Sequence, residues 1–197
     1  MSRAAKRFMT MSIWISIGLF VIRCLMDFSG ITSLINHHEY LTCSYSIYGY
    51  AGESIVLATI FMTLFNKWLW KKKPFYFFAE GLPVLAKHYR GTITFIWDDK
   101  EQTRSSEIWI NQTFLNVSVK FGTNESISNS ITASIEINNN EHQLIYTYLN
   151  TPRAELQNRS AIHYGTAMIS IDNPKELIGN YYTSRTTRGS MIFQAAE

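Results

Sequence analysis

The sequence predicts two transmembrane α-helices followed by an all-β, eight-stranded antiparallel up-and-down barrel. Three observations predict it. Two long apolar runs lie before residue 80. Beyond them, apolar and polar residues alternate with a period of two. Clusters of Asn, Asp, Gly and Pro break that alternation at short intervals.

The chain has 197 residues, which suits one or two domains. Its formal charge of +3 is too small to argue for DNA or RNA as a partner. Cys24 lies in an apolar run and Cys43 in an expected short loop, so no structural disulfide is expected.

The first run, Phe8 to Met26, carries no charge before Arg23. About 20 apolar residues cross a bilayer. A signal peptide is the rival reading, but no small-x-small cleavage site follows and a second run comes soon after. That second run, Ser46 to Trp70, holds one acid, Glu53. Arg3, Lys6 and Arg7 precede the first span, and Lys67, Lys71, Lys72 and Lys73 follow the second. The loop between them has no Lys or Arg. The excess of basic residues on one side places both termini in the cytoplasm of a two-pass membrane protein. The sequons at Asn111, Asn116, Asn124 and Asn158 then read as chance. Glu53 is either an interfacial residue or a functional one. Gly49 and Gly52 would permit close helix approach, so Gly49, Gly52 and Glu53 are the candidate residues for self-association in the membrane.

The expected organisation is a transmembrane region over 1–73, a juxtamembrane linker over 74–84 and a cytoplasmic barrel over 85–197. Strands are expected at Lys87–Trp97, Ser105–Gln112, Phe114–Thr123, Ser126–Asn138, His142–Leu149, Ile162–Ile171, Glu176–Thr183 and Ser190–Ala195. In the fourth, Ile131, Ala133, Ile135 and Ile137 share one face. "WDDKEQ", with Asp98 and Asp99, reads as a turn. A barrel leaves no exposed sheet edge, and eight strands enclose just enough room for side chains or one small ligand. A β-sandwich is the structural alternative.

Up-and-down order gathers the loops after strands one, three, five and seven at the end facing away from the linker. Those loops hold Lys100, Arg104, Arg153, Arg159, Arg185 and Arg188. Tyr146, Tyr148, Tyr164, Tyr181 and Tyr182 lie on strands running toward that end. Arginine forks suit phosphates, and aromatic faces suit nucleobases. The alternative is a solvated rim whose arginines pair with Asp98, Asp99, Glu101 and Glu155.

The sequence has no phosphate-binding glycine loop, no nucleophile elbow and no Cys/His metal spacing. His37 and His38 are adjacent, which is poor geometry for one metal. No catalytic residues, metal ligands or cofactor are assigned. A binding or signalling protein is preferred over an enzyme.

The segments "LAKHYRGTI" (Leu85–Ile93), "IWINQTFLNVSVKFGTNES" (Ile108–Ser126), "LIYTYLNTP" (Leu144–Pro152), "HYGTAMISI" (His163–Ile171) and "LIGNYYTSRTTRGSMIF" (Leu177–Phe193) carry a family resemblance. The chain resembles the two-transmembrane, β-strand-rich effectors of bacterial CBASS antiphage defence. The resemblance implies a receptor for a cyclic oligonucleotide, with a cyclic dinucleotide the expected form. A neighbouring cGAS/DncV-like nucleotidyltransferase makes that signal. It implies an inner-membrane protein whose copies assemble on ligand binding, disrupt the bilayer and end the infection. Under this reading Arg153, Arg185 and Arg188 contact phosphates. Thr186 and Thr187 donate hydrogen bonds, and Tyr146, Tyr148 and Tyr182 stack on bases or line the mouth. Thr183 and Tyr182 point to opposite faces, so at most one of them faces inward. Two alternatives stay open: a membrane-anchored lipocalin-like carrier of a small molecule, and a structural envelope protein with no nucleotide ligand.

Overall fold

The computed structural model describes residues 3–79, 81–97, 100–138 and 141–196. The expected Asp98–Asp99 turn, and any pairing to those acids, lie outside the described residues. The chain divides into two compact units, Met1–Ala79 and Glu80–Glu197.

The first unit is helical. Helices α1 (Arg3–Met26) and α3 (Tyr40–Lys67) are long and apolar enough to cross a membrane. Between them lies α2 (Phe28–Asn36), a helix where a plain loop is expected from sequence. Phe28, Ile31, Leu34 and Ile35 recur at helical spacing, but a run of nine residues is too short to be told from a loop by periodicity alone. Cys43 sits buried in α3, not in a loop, and both cysteines are free. The buried face of α3 runs through Cys43, Tyr50, Ser54, Ala58, Met62 and Phe65. Ser54 and Ala58 are small, which lets two helix backbones approach. Ile55, Leu57, Ile60 and Leu64 stay exposed, as do Trp14, Val21, Ile22 and Leu25 of α1. Outward-facing apolar surface of this kind suits lipid better than water. Two 3-10 turns, Leu69–Lys71 and Lys73–Phe75, and the short helix α4 (Tyr76–Ala79) end the unit.

The second unit is a closed barrel of eight antiparallel strands in sequence order. They are β1 (His88–Trp97), β2 (Lys100–Gln112), β3 (Val117–Thr123), β4 (Ser126–Asn138), β5 (Glu141–Pro152), β6 (His163–Ser170), β7 (Glu176–Thr183) and β8 (Arg188–Ala195). β8 closes on β1, from Tyr89 opposite Ala195 to Phe95 opposite Gly189. Closure pairs every strand on both sides, so the sandwich alternative falls.

Alternation decides which side chains fill the interior. Ile108 and Ile110 of β2, Leu144, Tyr146 and Tyr148 of β5, Ala167 and Ile169 of β6, Leu177 and Tyr181 of β7, and Met191 and Phe193 of β8 form one core. The end where the chain enters is plugged. The Gln112 side chain accepts from the Leu85 N–H at 3.0 Å and donates to the Pro83 carbonyl at 3.0 Å. The Tyr89 hydroxyl donates to the Pro174 carbonyl at 2.7 Å. These bonds satisfy buried polar groups that would otherwise each cost about 1–3 kcal/mol.

Two sequence expectations are corrected here. Ile131 is exposed, not aligned with Ala133 and Ile135 on the core face. The register with β5 slips between Ser130 and Thr132. This bulge inverts the alternation, so Ser128 points inward before it and Ala133 after it. The second correction is the start of β2, which is Lys100 and not Ser105. Its first residues are polar on both faces, which hides the period of two. Arg104 is therefore a strand residue.

Candidate functional site

The unplugged end of the barrel opens into a cavity of about 200 Å³. Its floor is apolar and aromatic, built from Ile93, Phe95, Phe121, Tyr146, Tyr148, Tyr181 and Met191. Its mouth is polar, with Arg104, Glu125, Arg159, Ser160, Thr183, Arg185 and Thr187. Those mouth residues come from the start of β2 and the turns after β3, β5 and β7, the loop set gathered at one end by up-and-down order.

Each side chain is positioned by a local reason. Tyr146 and Tyr148 are two apart on β5 and both face inward, with ring centroids 5.8 Å apart. Burial pushes the hydroxyl pKa of each well above the ordinary value of 10.0. Burial likewise pushes Tyr181 up to about 12, against a small opposing pull from the Arg104 charge. All three are neutral at physiological pH. Each can both donate and accept a hydrogen bond. The Ser128 hydroxyl, buried on the cavity wall, donates to Asn150 Oδ1 at 2.7 Å.

The β7–β8 tip is a tight hairpin. The Thr186 N–H donates to the Thr183 carbonyl at 3.1 Å, and the Thr183 N–H to the Thr187 carbonyl at 2.9 Å. Thr186 takes φ 65°, the left-handed position that closes such turns and that usually falls to Gly. The Ser184 N–H donates to the Tyr164 carbonyl at 2.9 Å and ties the tip to β6. Thus held, Arg185 reaches over the mouth, where its Nη1 donates to Ser160 Oγ at 2.7 Å.

Glu125, in the turn between β3 and β4, gathers two other arginines. Its Oε2 accepts from Arg104 Nη1, and its Oε1 accepts from Arg159 Nη2 at 3.0 Å. The acid partner of these arginines is thus Glu125, where Glu101 and Glu155 were the sequence alternatives. Three arginines against one glutamate leave two net positive charges on the described lining.

The structure brings Tyr146, Tyr148, Arg185 and Thr187 of the candidate ligand residues to this cavity. Tyr182, Arg153, Thr186 and Arg188 do not line it. Tyr182 is 51% exposed on the outer face, because Leu177 and Tyr181 take the inward positions of β7. Arg188 pairs with Tyr182 in register and is exposed. Thr186 and Arg153 are exposed in the loops. Tyr181 and Thr183 are cavity residues that the sequence reading did not put in its ligand set, although their alternation with Leu177 gives the signal. Glu125 carries no sequence signal, because "TNE" reads only as a turn.

In the helical unit, Arg23 Nε donates to Glu53 Oε2 at 3.0 Å, joining α1 to α3. The Arg23 guanidinium also lies over the Tyr50 ring, 4.1 Å from its centroid, and the Tyr50 hydroxyl donates to Asp27. Gly49 and Gly52 are exposed, with open space where a Cβ would stand.

Residues 81–195 match the family model described as Cap15, cyclic dinucleotide receptor domain. The chain is also 29% identical over 138 residues to CD-NTase-associated protein 15 of Staphylococcus schleiferi. That similarity covers 70% of this chain and 74% of the relative. The segment matched by the family model is the barrel with its cavity. The chain therefore belongs to the Cap15 cyclic dinucleotide receptor domain family, the CBASS effectors that its sequence resembles.

Proposed function

We propose that this protein is a CBASS effector whose barrel cavity binds a cyclic dinucleotide. The observation that carries the reading is the charge of the cavity. Two net positive charges sit over a floor of three tyrosines. A cyclic dinucleotide has two phosphodiester charges and two bases. Arg104, Arg159 and Arg185 suit the phosphates, because guanidinium forks bind such oxygens in pairs. Tyr146, Tyr148 and Tyr181 suit a base, whose stacking on an aromatic ring is worth about 1–3 kcal/mol. Thr183 and Thr187 add hydroxyl donors. The cavity is smaller than the roughly 300–1,000 Å³ of pockets that engulf a whole drug-sized ligand. One base therefore enters while the phosphates ride on the rim. Arg153 and Arg188, outside the cavity, add to the field that draws an anion to the mouth.

The signal comes from a CD-NTase, a cGAS/DncV-like nucleotidyltransferase. The two apolar helices anchor the receptor in the bacterial inner membrane. Basic residues flanking both spans support cytoplasmic termini. Ligand binding promotes self-association of the helices and disruption of the bilayer, without enzymatic turnover. The exposed edge carrying Gly49 and Gly52, next to Glu53, is the face offered to another copy. Binding shifts this equilibrium only as far as the assembled state holds ligand more tightly.

The test is thermal stabilisation of the full-length protein in detergent micelles against cyclic di- and trinucleotides. Binding to the native state raises the melting temperature. A selective shift by one cyclic dinucleotide, lost in Arg185→Ala, is expected. A uniform absence of shifts across the panel contradicts the reading.

A further inference from the structure

Glu125 is the one acidic side chain on the described cavity lining, and it is fully engaged. It bonds Arg104 through one oxygen and Arg159 through the other. Arg104 comes from β2, Arg159 from the β5–β6 connection and Glu125 from the β3–β4 turn. Three elements meet at one carboxylate. The turn fixes its position. The Glu125 N–H donates to Thr123 Oγ1 at 3.1 Å, and its carbonyl accepts from the Arg153 N–H at 2.9 Å. Arg185 is held differently, by the neutral Ser160 hydroxyl. Two of the three guanidinium groups at the mouth thus already carry an anion that the chain itself supplies.

We propose that Glu125 is a built-in competitor for the ligand's phosphates and sets which anions the cavity accepts. This rests on the cavity being the cyclic dinucleotide site. A carboxylate and a phosphodiester offer the same pair of acceptor oxygens to a guanidinium. Among the described lining arginines, a small anion entering the cavity finds Arg185 alone without an acidic partner. It gains little by exchanging one ion pair for another. A ligand with two separate phosphates engages Arg185 with one and displaces Glu125 with the other, so its second phosphate group, and not charge alone, is what opens the site. The displacement is within reach, because the pairs are partly solvated: Glu125 is 35% exposed and Arg159 58%. Glu125 then swings into solvent, and Arg104 and Arg159 are released to follow the ligand. Affinity for ubiquitous small anions is sacrificed, and the signal is read against their background.

The test is calorimetric titration of the full-length protein in micelles. The probes are cyclic di-AMP, cyclic di-GMP and cyclic UMP-AMP, with inorganic phosphate as competitor. Wild type is compared with Glu125→Gln and Glu125→Ala. Both substitutions are expected to tighten the cyclic dinucleotide that binds by about five- to tenfold, the scale of one or two partly exposed ion pairs. Phosphate, a weak competitor on wild type, becomes a strong one on both variants. Equal or weaker binding by variants that melt like wild type overturns the proposal. So does a large drop in their melting temperature, which makes Glu125 a scaffold for the barrel. In either case, wild-type binding that is lost in Arg185→Ala leaves the nucleotide reading standing. If neither wild type nor variants bind any probe, both readings fall.

Discussion

The Tyr148 ring occupies the space that a side chain on Gly165 would need. The two are register partners on β5 and β6. A Cβ built at Gly165 lies 2.3 Å from both Cζ and the hydroxyl oxygen of Tyr148. Glycine here is what lets a tyrosine lie across the barrel and form the cavity floor. Gly165→Ala should displace the ring into the cavity and cost about 1–3 kcal/mol by overpacking. Chemical denaturation measures the cost. A ligand titration should show binding lost together with stability.

Arg185 and Arg188 separate a cavity contact from a surface charge. Both are basic and three residues apart on one hairpin, but only Arg185 lines the cavity. A hydrogen bond to a charged partner is worth about 1.5–3 kcal/mol, so Arg185→Ala should weaken cyclic dinucleotide binding by that amount. Arg188→Ala should change it little beyond a mild salt-dependent effect. Neither should alter the melting temperature much. Isothermal titration of both variants checks the contrast.

The buried tyrosines predict an alkaline limit to stability. Tyr181 has its pKa raised by burial from 10.0 to about 12, and Tyr146 and Tyr148 are raised further by the same cause. Above pH 10 the unfolded chain releases these protons and the folded chain keeps them. The unfolded state then binds fewer protons, so stability falls as pH rises. The melting temperature should drop between pH 10 and pH 12, and Tyr181→Phe should make the drop shallower. The share of the tyrosinate absorbance that disappears in Tyr181→Phe should develop together with unfolding, not before it.

Thr186 holds a left-handed backbone at φ 65°. A β-branched residue pays for that conformation, by about 1–2 kcal/mol relative to glycine. Thr186→Gly should therefore raise the melting temperature, although glycine's unfolded-state entropy offsets part of the gain. Thr186→Pro should destabilise the hairpin strongly, since proline cannot adopt positive φ and removes the N–H bonded to Thr183. A thermal melt of the two variants tests the sign of each effect.

The architecture was legible because period-two alternation survives wherever the interior is apolar. Leu177, Tyr181, Met191 and Phe193 announce their face directly. Legibility failed where the interior turns polar or the backbone slips. In sequence Arg104 reads as a loop residue, because inward polar side chains at the open end erase the alternation. In sequence Ile131 falls on the core face, because a bulge leaves no trace in a run of Ser, Ile and Thr. The basic residues could be assigned to one end of the barrel from topology alone, but not sorted into inner and outer. That depends on strand parity at the tip, which puts Thr187 inside and Arg188 outside. The bridge from Glu125 to Arg104 and Arg159 joins three elements distant in sequence, and only the closed barrel brings them together.

Under the proposed function, the cavity above Tyr146, Tyr148 and Tyr181 holds a base of a cyclic dinucleotide. Photo-crosslinking an azido-substituted cyclic dinucleotide to the full-length protein, with peptide mapping by mass spectrometry, tests it most directly. Adducts are expected on the inward residues of β5 and β7, at Tyr146, Tyr148 or Tyr181, abolished by excess unlabelled ligand. Competed adducts confined to the outer face, at Tyr164 or Tyr182, would contradict it.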